Sequence, residues 1–461
     1  MNINKNLSNE KIFNEAIQHH KNKKLNLAEK LYNEVLKKDP NHIRALNNLG
    51  IIYFSLKKFN ESIKIFKKTI IIDSSYLSAH NNLGLLFKEI KNYKKAISSF
   101  QEAIKINPNY FEAHNNSGLV FYECGEYQKA INSYEKAIKI NPNVMEVHCN
   151  VGLVYEKTGE INKAFNSYQK VPKSDTRYLY AQYNLASLLY KDKQYEKAVK
   201  IFKLIDYKNS KSYLIKSLYE LNDQFNFINE LDNQIKKGTT DAVIGSLINS
   251  ARLKYGIKKK NLFCEDPLNF VYIKNLTESY DFNNIFIKTA NNILNDEMFK
   301  DRSQPLLINA IQSAGNIFYN ENSSIKKIKD IIHKELENYR IKFNNTNEGI
   351  IKNWPKNYEL KGWLVKMKSG GKIKPHIHDY GWLSGSIYIN VPPKINTNSG
   401  NLVVCFNDQQ KEIPDKEDKN SKIINVVTGS LCFFPASLFH YTIPFESDEE
   451  RIVLAFDVMK N

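Results

Sequence analysis

Hydrophobic and polar positions alternate with a helical period through the first 212 residues, and that pattern repeats every 34 residues. A small residue recurs as Ala16, Gly50, Gly84, Gly118, Gly152 and Ala186. Twelve residues on, a second small position holds Ala28, Ser62, Ala96, Ala130, Ala164 and Ala198. Four residues further stands a ring: Tyr32, Phe66, Phe100, Tyr134, Tyr168 and Phe202. Two small residues let paired helices approach closely, and the ring fills the space between them. Pro40, Pro108 and Pro142 fall where the second helix of a unit should end. Residues 213–260 keep a helical pattern but lose the register, which predicts a cap and linker. From about 261 mixed helical patterns run to about 345. Short alternating segments follow at 360–368, 383–391, 401–406, 423–427, 430–435, 438–445 and 451–458, predicting a sandwich or barrel of strands. The lysine- and acid-rich stretch 411–422 has no apolar period and reads as a mobile surface loop.

Composition changes this picture little. A hydrophobic fraction of 42% suits an ordered globular chain. The formal net charge of +17 is built from lysines that outnumber arginines sixty to six and are spread along the chain. This reads as compositional bias, so no nucleic acid partner is expected. No apolar run is long enough for a signal peptide or a membrane span, so no membrane association is expected, and the chain reads as cytoplasmic. The five cysteines are scattered and lack a CxxC pair, which predicts small buried residues and no disulfide framework.

The repeat half resembles the tetratricopeptide repeat, with six units from residue 9 to about 212. The resemblance implies an α-solenoid whose first helices line a groove for a protein or peptide. Asn14, Asn48, Asn82, Asn116, Asn150 and Asn184 occupy one column two residues before the small residue. Each amide offers a donor and an acceptor, so the row is a candidate peptide-binding ladder. O-linked N-acetylglucosamine transferases, which the NNLG-type segments resemble, use such a ladder on protein substrates. A second row, His80, His114 and His148, reads as surface or groove lining.

Candidate chemistry lies in the strand-rich half. His376 and His378, at i and i+2 of an extended segment, can point to one side, and His440 from a distant strand can complete a facial set on one metal ion. Arg451 carries a planar fork suited to a buried carboxylate. The segments HIHDYGWLSG (376–385), SGNLVVCF (399–406), GSLCFFPASLFH (429–440) and ERIVLAF (450–456) resemble the Fe(II)/2-oxoglutarate-dependent oxygenases. That resemblance implies a C-terminal double-stranded β-helix, or jelly roll, with flanking helices, Fe(II) and 2-oxoglutarate as cofactors, His376 and His440 as iron ligands, and Arg451 on the distal carboxylate. It also makes Tyr388 a candidate cosubstrate contact. Most relatives carry His-x-Asp, whereas here His378 stands in the place of the carboxylate. Three alternatives stay open: a three-histidine site using His378, a turn that swings Asp379 inward, or two histidines with water, as in aspartyl/asparaginyl β-hydroxylases. Trp354, Trp363 and Trp382 read as core, with Trp382 near enough in sequence to border the mouth.

The expectation is a multidomain α and β chain: repeats over 1–212, a helical cap and linker over 213–260, and an oxygenase domain over 261–461 with its β-helix core at about 355–458. It would hydroxylate a protein or peptide recruited by the repeats. A scaffold with a degenerate jelly roll, and an oxygenase acting on a small metabolite or sugar, are the alternatives.

Overall fold

A computed structural model describes residues 8–295, 306–313, 315–320, 322–408, 413–414 and 418–460. Within the 411–422 loop, residues 411–412 and 415–417 lie outside this set. The chain divides into two units, residues 1–188 and 189–461.

In the first unit helices come in antiparallel pairs, beginning with Asn9–Lys21 and Leu25–Lys38, then Ile43–Ser55 and Phe59–Ile72, then Leu77–Glu89 and Tyr93–Ile106. The small-residue column does what the pattern requires. A Cβ on Gly50, Gly84, Gly118 or Gly152 would lie 2.5 to 2.7 Å from a ring carbon of Phe66, Phe100, Tyr134 or Tyr168, respectively. The turn inside each pair places one residue in the left-handed region: Lys23, Lys57, Lys91, Gly125 and Gly159, with φ from 58° to 79°. Between pairs the second helix ends two residues before the proline position. Asp39, Asp73, Asn107 and Asn141 cap it and accept from the N–H two residues on, at 2.9 to 3.2 Å.

The histidine row is not surface lining. His80, His114 and His148 are buried, and their Nε2 atoms lie 2.8 to 2.9 Å from the carbonyls of Ser74, Pro108 and Pro142, fastening each inter-pair turn. The asparagine column is partly engaged within the array. Asn82 Nδ2 donates to Asn47 Oδ1 at 3.0 Å, Asn116 Nδ2 to Asn81 Oδ1 at 2.9 Å, and Asn48 Nδ2 to Tyr32 Oη at 3.2 Å.

The second unit continues the helical pattern with the hairpin Ser210–Glu220 and Gln224–Lys236, turning through Asn222 at φ 57°, and the helix Ala242–Tyr255. Nine strands follow among the described residues: β1 (Tyr272–Asn275), β2 (Leu307–Gln312), β3 (Tyr358–Ile373), β4 (Gly381–Asn390), β5 (Leu402–Cys405), β6 (Ser421–Ile424), β7 (Ser430–Pro435), β8 (Phe439–Thr442) and β9 (Arg451–Lys460). They form an antiparallel six-stranded sheet ordered β1-β7-β4-β9-β3-β2 and a three-stranded sheet ordered β6-β5-β8, a jelly roll with flanking helices. The seven predicted strands are present. β1 and β2 were not expected, since they lie in the stretch read as mixed helices.

Alternation along β9 shows how the sheet is faced. Leu454, Phe456 and Val458 pack with Ile332, Leu336 and Tyr339 of the Ser323–Lys342 helix. Val453 packs instead with Tyr388, Cys432, Leu402, Val404 and Ile424, the core between the sheets. Arg451 and Asp457 share Val453's side of the strand by the same period of two.

Candidate metal centre

The centre begins with a backbone pairing. His376 and His440 are directly opposite in an antiparallel bridge and exchange both hydrogen bonds, His376 N to His440 O at 3.2 Å and His440 N to His376 O at 2.9 Å. Side chains of such a pair leave the same face, so two imidazoles meet from segments more than sixty positions apart. Their ring centroids are 4.2 Å apart. His378, two residues on, joins them with centroids 5.0 Å from His376 and 4.9 Å from His440. One ring nitrogen from each of the three lies within 4.8 Å of the others.

Hydrogen bonds fix two of the tautomers. His376 Nδ1 lies 2.9 Å from the carbonyl of Lys374, which can only accept, so Nδ1 carries the proton and Nε2 the lone pair. His378 Nδ1 lies 2.5 Å from Asp457 Oδ1, an arrangement that also leaves Nε2 as the donor atom for a metal. The two Nε2 atoms then face each other at 3.0 Å. Lone pairs at that separation repel unless a cation or proton lies between them. His440 contributes a third ring nitrogen to the same cluster. These features fit a metal ion held by imidazoles.

The electrostatics agree. Burial, and then the neighbouring His378, push His376 down to about 4, and burial with both other histidines holds His440 well below the usual imidazole range. Both are therefore neutral at pH 7, as ligation requires. Burial opposes charge on His378 as well, but the Asp457 carboxylate outweighs it and raises that pKa. Asp457 is itself held by Ser384 Oγ, 2.9 Å from Oδ1.

Arg451 is 1% exposed, and its guanidinium lies over the Tyr388 ring at 5.1 Å. It donates to the Gly400 carbonyl, while its Nε has no partner. Among the described residues no carboxylate pairs with it. Burying an unpaired cation costs several kcal/mol, so the fold keeps a site that an anion would complete. Ser384, Ser386 and Tyr388 follow at i, i+2 and i+4 of β4, opposite Asp457, Ala455 and Val453 of β9. The stripe therefore leads from the histidines toward Arg451. Donor set and buried guanidinium fit a small dianion next to a metal.

The structure brings together His376, His378, His440 and, on the shared barrel interior, Tyr388 and Arg451. The Asp379 carboxylate engages Tyr213 and Lys216. Trp382 is core, donating to the Ile350 carbonyl at 2.9 Å and edge-on to Phe263. Trp363 is the tryptophan beside the centre, its ring 5.6 Å from His378. Sequence reasoning missed Asp457, whose one signal is an acid within the apolar run RIVLAFDV. It also missed Tyr213 and Lys216, which nothing nearby in sequence distinguishes.

Residues 361–457 match the family described as "Putative 2OG-Fe(II) oxygenase". Tetratricopeptide-repeat models match 31–64, 78–110, 99–132, 146–175 and 180–212, and a TPR-repeat model matches 118–159. No curated protein matches the chain. Among solved structures, the chain is similar to the MamA protein at 31% identity, covering 35% of this chain and 88% of that one with a TM-score of 0.32. It is also similar to a thermophilic TPR protein of Thermus thermophilus (21% identity, 40% and 99% covered, TM-score 0.34) and to PilF of Pseudomonas aeruginosa (21%, 42% and 90%, TM-score 0.37). The chain is a tetratricopeptide-repeat protein whose residues 361–457 form a domain of the family described as "Putative 2OG-Fe(II) oxygenase".

Proposed function

We propose that this protein is an Fe(II)- and 2-oxoglutarate-dependent dioxygenase that hydroxylates a protein or peptide recruited by its repeats. The observation that carries the reading is the convergence of three imidazoles with a buried Arg451, unpaired with any described carboxylate, in one barrel interior. Bound Fe(II) and 2-oxoglutarate would supply dioxygen activation for attack on a C–H bond. The chain's own part is positional. His376, His378 and His440 hold the metal, Asp457 keeps His378 in the right tautomer, and Arg451 offers its fork to the distal carboxylate of the cosubstrate. Tyr388 lies under that fork and limits its movement. Phe434, 4.9 Å from the His440 ring, and buried Leu438 and Val404 keep water from the inner face of the centre.

The repeats supply recruitment, since such repeats typically bind protein partners. Asn14, Asn48, Asn82, Asn116, Asn150 and Asn184 are the candidate contacts with a peptide main chain. Because Asn48, Asn82 and Asn116 already donate within the array, the ladder would act mainly through Oδ1 acceptors on peptide N–H groups. A captured chain would meet the centre at an effective concentration that can reach roughly the millimolar range. Four of the five cysteines are buried, which fits the cytoplasmic setting expected from the sequence.

Purified protein supplied with Fe(II) should convert 2-oxoglutarate to succinate and carbon dioxide, and His440→Ala and Arg451→Ala should each abolish this. Turnover that survives His440→Ala would remove the ligand assignment.

A further inference from the structure

Beyond the Lys374 N–H bond to the Leu306 carbonyl at 2.9 Å and the bridge at His376, no ladder contact among the described residues holds the segment carrying His376 and His378 until β4 begins at Gly381. Something else must fix the rings, and the residue after His378 shows what does. Both carboxylate oxygens of Asp379 are engaged by the Ser210–Glu220 helix: Tyr213 Oη donates to Oδ2 at 2.5 Å and Lys216 Nζ to Oδ1 at 3.1 Å. These partners lie 166 and 163 positions away in sequence. Tyr213 is 7% exposed, and the Lys216 ammonium lies 5.4 Å from the Tyr190 ring centroid and 5.5 Å from that of Tyr213. A cation held between two rings and a carboxylate is well ordered, because each partner limits its rotamers. Adjacent side chains in an extended turn diverge, so drawing Asp379 to the helix sends His378 the other way, onto Asp457.

We infer that Asp379 is a positioning residue: by clamping the ligand turn to Tyr213 and Lys216 it presents His378 as the third metal donor, and it makes the Ser210–Glu220 helix a working part of the metal centre. The inference rests on the reading of the histidines as a metal site but not on oxygenase turnover. A three-imidazole set follows, with its carboxylate, Asp457, one step outside the ligands.

Co(II) binding to the full-length chain tests it, because the visible absorption of Co(II) reports its ligands independently of activity. Tyr213→Phe and Lys216→Met keep side-chain bulk, and thermal melting checks that they fold. The clamp predicts that each weakens Co(II) binding by roughly threefold to tenfold with the absorption spectrum unchanged, as residues behind a ligand do. Asp379→Asn should do the same, and the double variant Tyr213→Phe with Asp379→Asn should be no weaker than the worse single, since both break one interaction. His378→Ala should change the spectrum. The inference is overturned if Asp379→Asn alters the spectrum while Tyr213→Phe or Lys216→Met tightens binding, which would make Asp379 the ligand. It is equally overturned if all three variants bind Co(II) like the parent, or if the parent binds none. Co(II) binding that follows the predicted pattern without 2-oxoglutarate turnover would remove the oxygenase and leave the clamp.

Discussion

Asp457 accounts for more of the centre's geometry than its place in the sequence suggests. It accepts from His378 at 2.5 Å and from Ser384 at 2.9 Å, so it sets both the tautomer and the tilt of one metal donor. Replacing it by Asn should lower Fe(II) affinity by about tenfold to a hundredfold, read by equilibrium titration against a chelator, with the fold intact by circular dichroism. Gly400 has a comparable role for Arg451. With φ at +70° and a Cβ position 2.8 Å from Nη1, Gly400→Ala should displace the guanidinium. The expected result is a 2-oxoglutarate KM raised by about tenfold or more, since one charge-assisted contact is worth roughly 1.5 to 3 kcal/mol. Residues with a spacing signature were readable beforehand: His376 and His378 by their i, i+2 pattern, His440 and Arg451 by the motifs around them. Asp457, Tyr213 and Lys216 were not, because their meaning comes from partners 79 to 166 positions distant. No local pattern encodes such a pairing.

At the level of elements, the repeats were the most legible part, since each helix pair buries the same small residue against the same ring. Gly84→Ala should therefore destabilise the array by about 1 to 3 kcal/mol, because the added methyl meets the Phe100 ring at 2.5 Å. The opposite sign is expected at the left-handed turn residues. Lys57 at φ 58° occupies a conformation that Gly125 and Gly159 adopt without a Cβ, so Lys57→Gly should raise stability by up to about 1 kcal/mol in urea unfolding. β1 and β2 escaped prediction because each is short and gains its partner from far away, β1 from β7 and β2 from β3. β1 is tied further to the Ser323–Lys342 helix through Lys274 Nζ, 2.8 Å from the buried Glu335 carboxylate. Burial alone would raise the Glu335 pKa, but Lys274, Asn338 and Tyr280 together lower it below 4.5. A depressed carboxyl contributes stability above its unfolded pKa and loses it as pH falls through the folded value. Glu335→Gln should thus cost about 3 kcal/mol at pH 7. The deficit relative to the parent should shrink as pH falls through the depressed folded value, where the parent also protonates.

At the scale of the whole molecule, one chain carries both a repeat array and a candidate metal centre, and no helix among the described residues is long and apolar enough to cross a membrane. If the array recruits substrate, replacing Asn82, Asn116 and Asn150 together by Ala should raise the KM for the protein substrate while leaving uncoupled 2-oxoglutarate turnover unchanged. A metabolite substrate predicts no effect on either. The central claim is that three imidazoles and Arg451 serve one metal-bound dianion, and anaerobic titration of the Fe(II)-loaded full-length protein with 2-oxoglutarate tests it most directly. The expected result is a visible metal-to-ligand charge-transfer band that saturates at one equivalent per chain, is absent in His440→Ala and needs at least about tenfold more 2-oxoglutarate in Arg451→Ala. Fe(II) bound without any such band, or a band unchanged in Arg451→Ala, would contradict it.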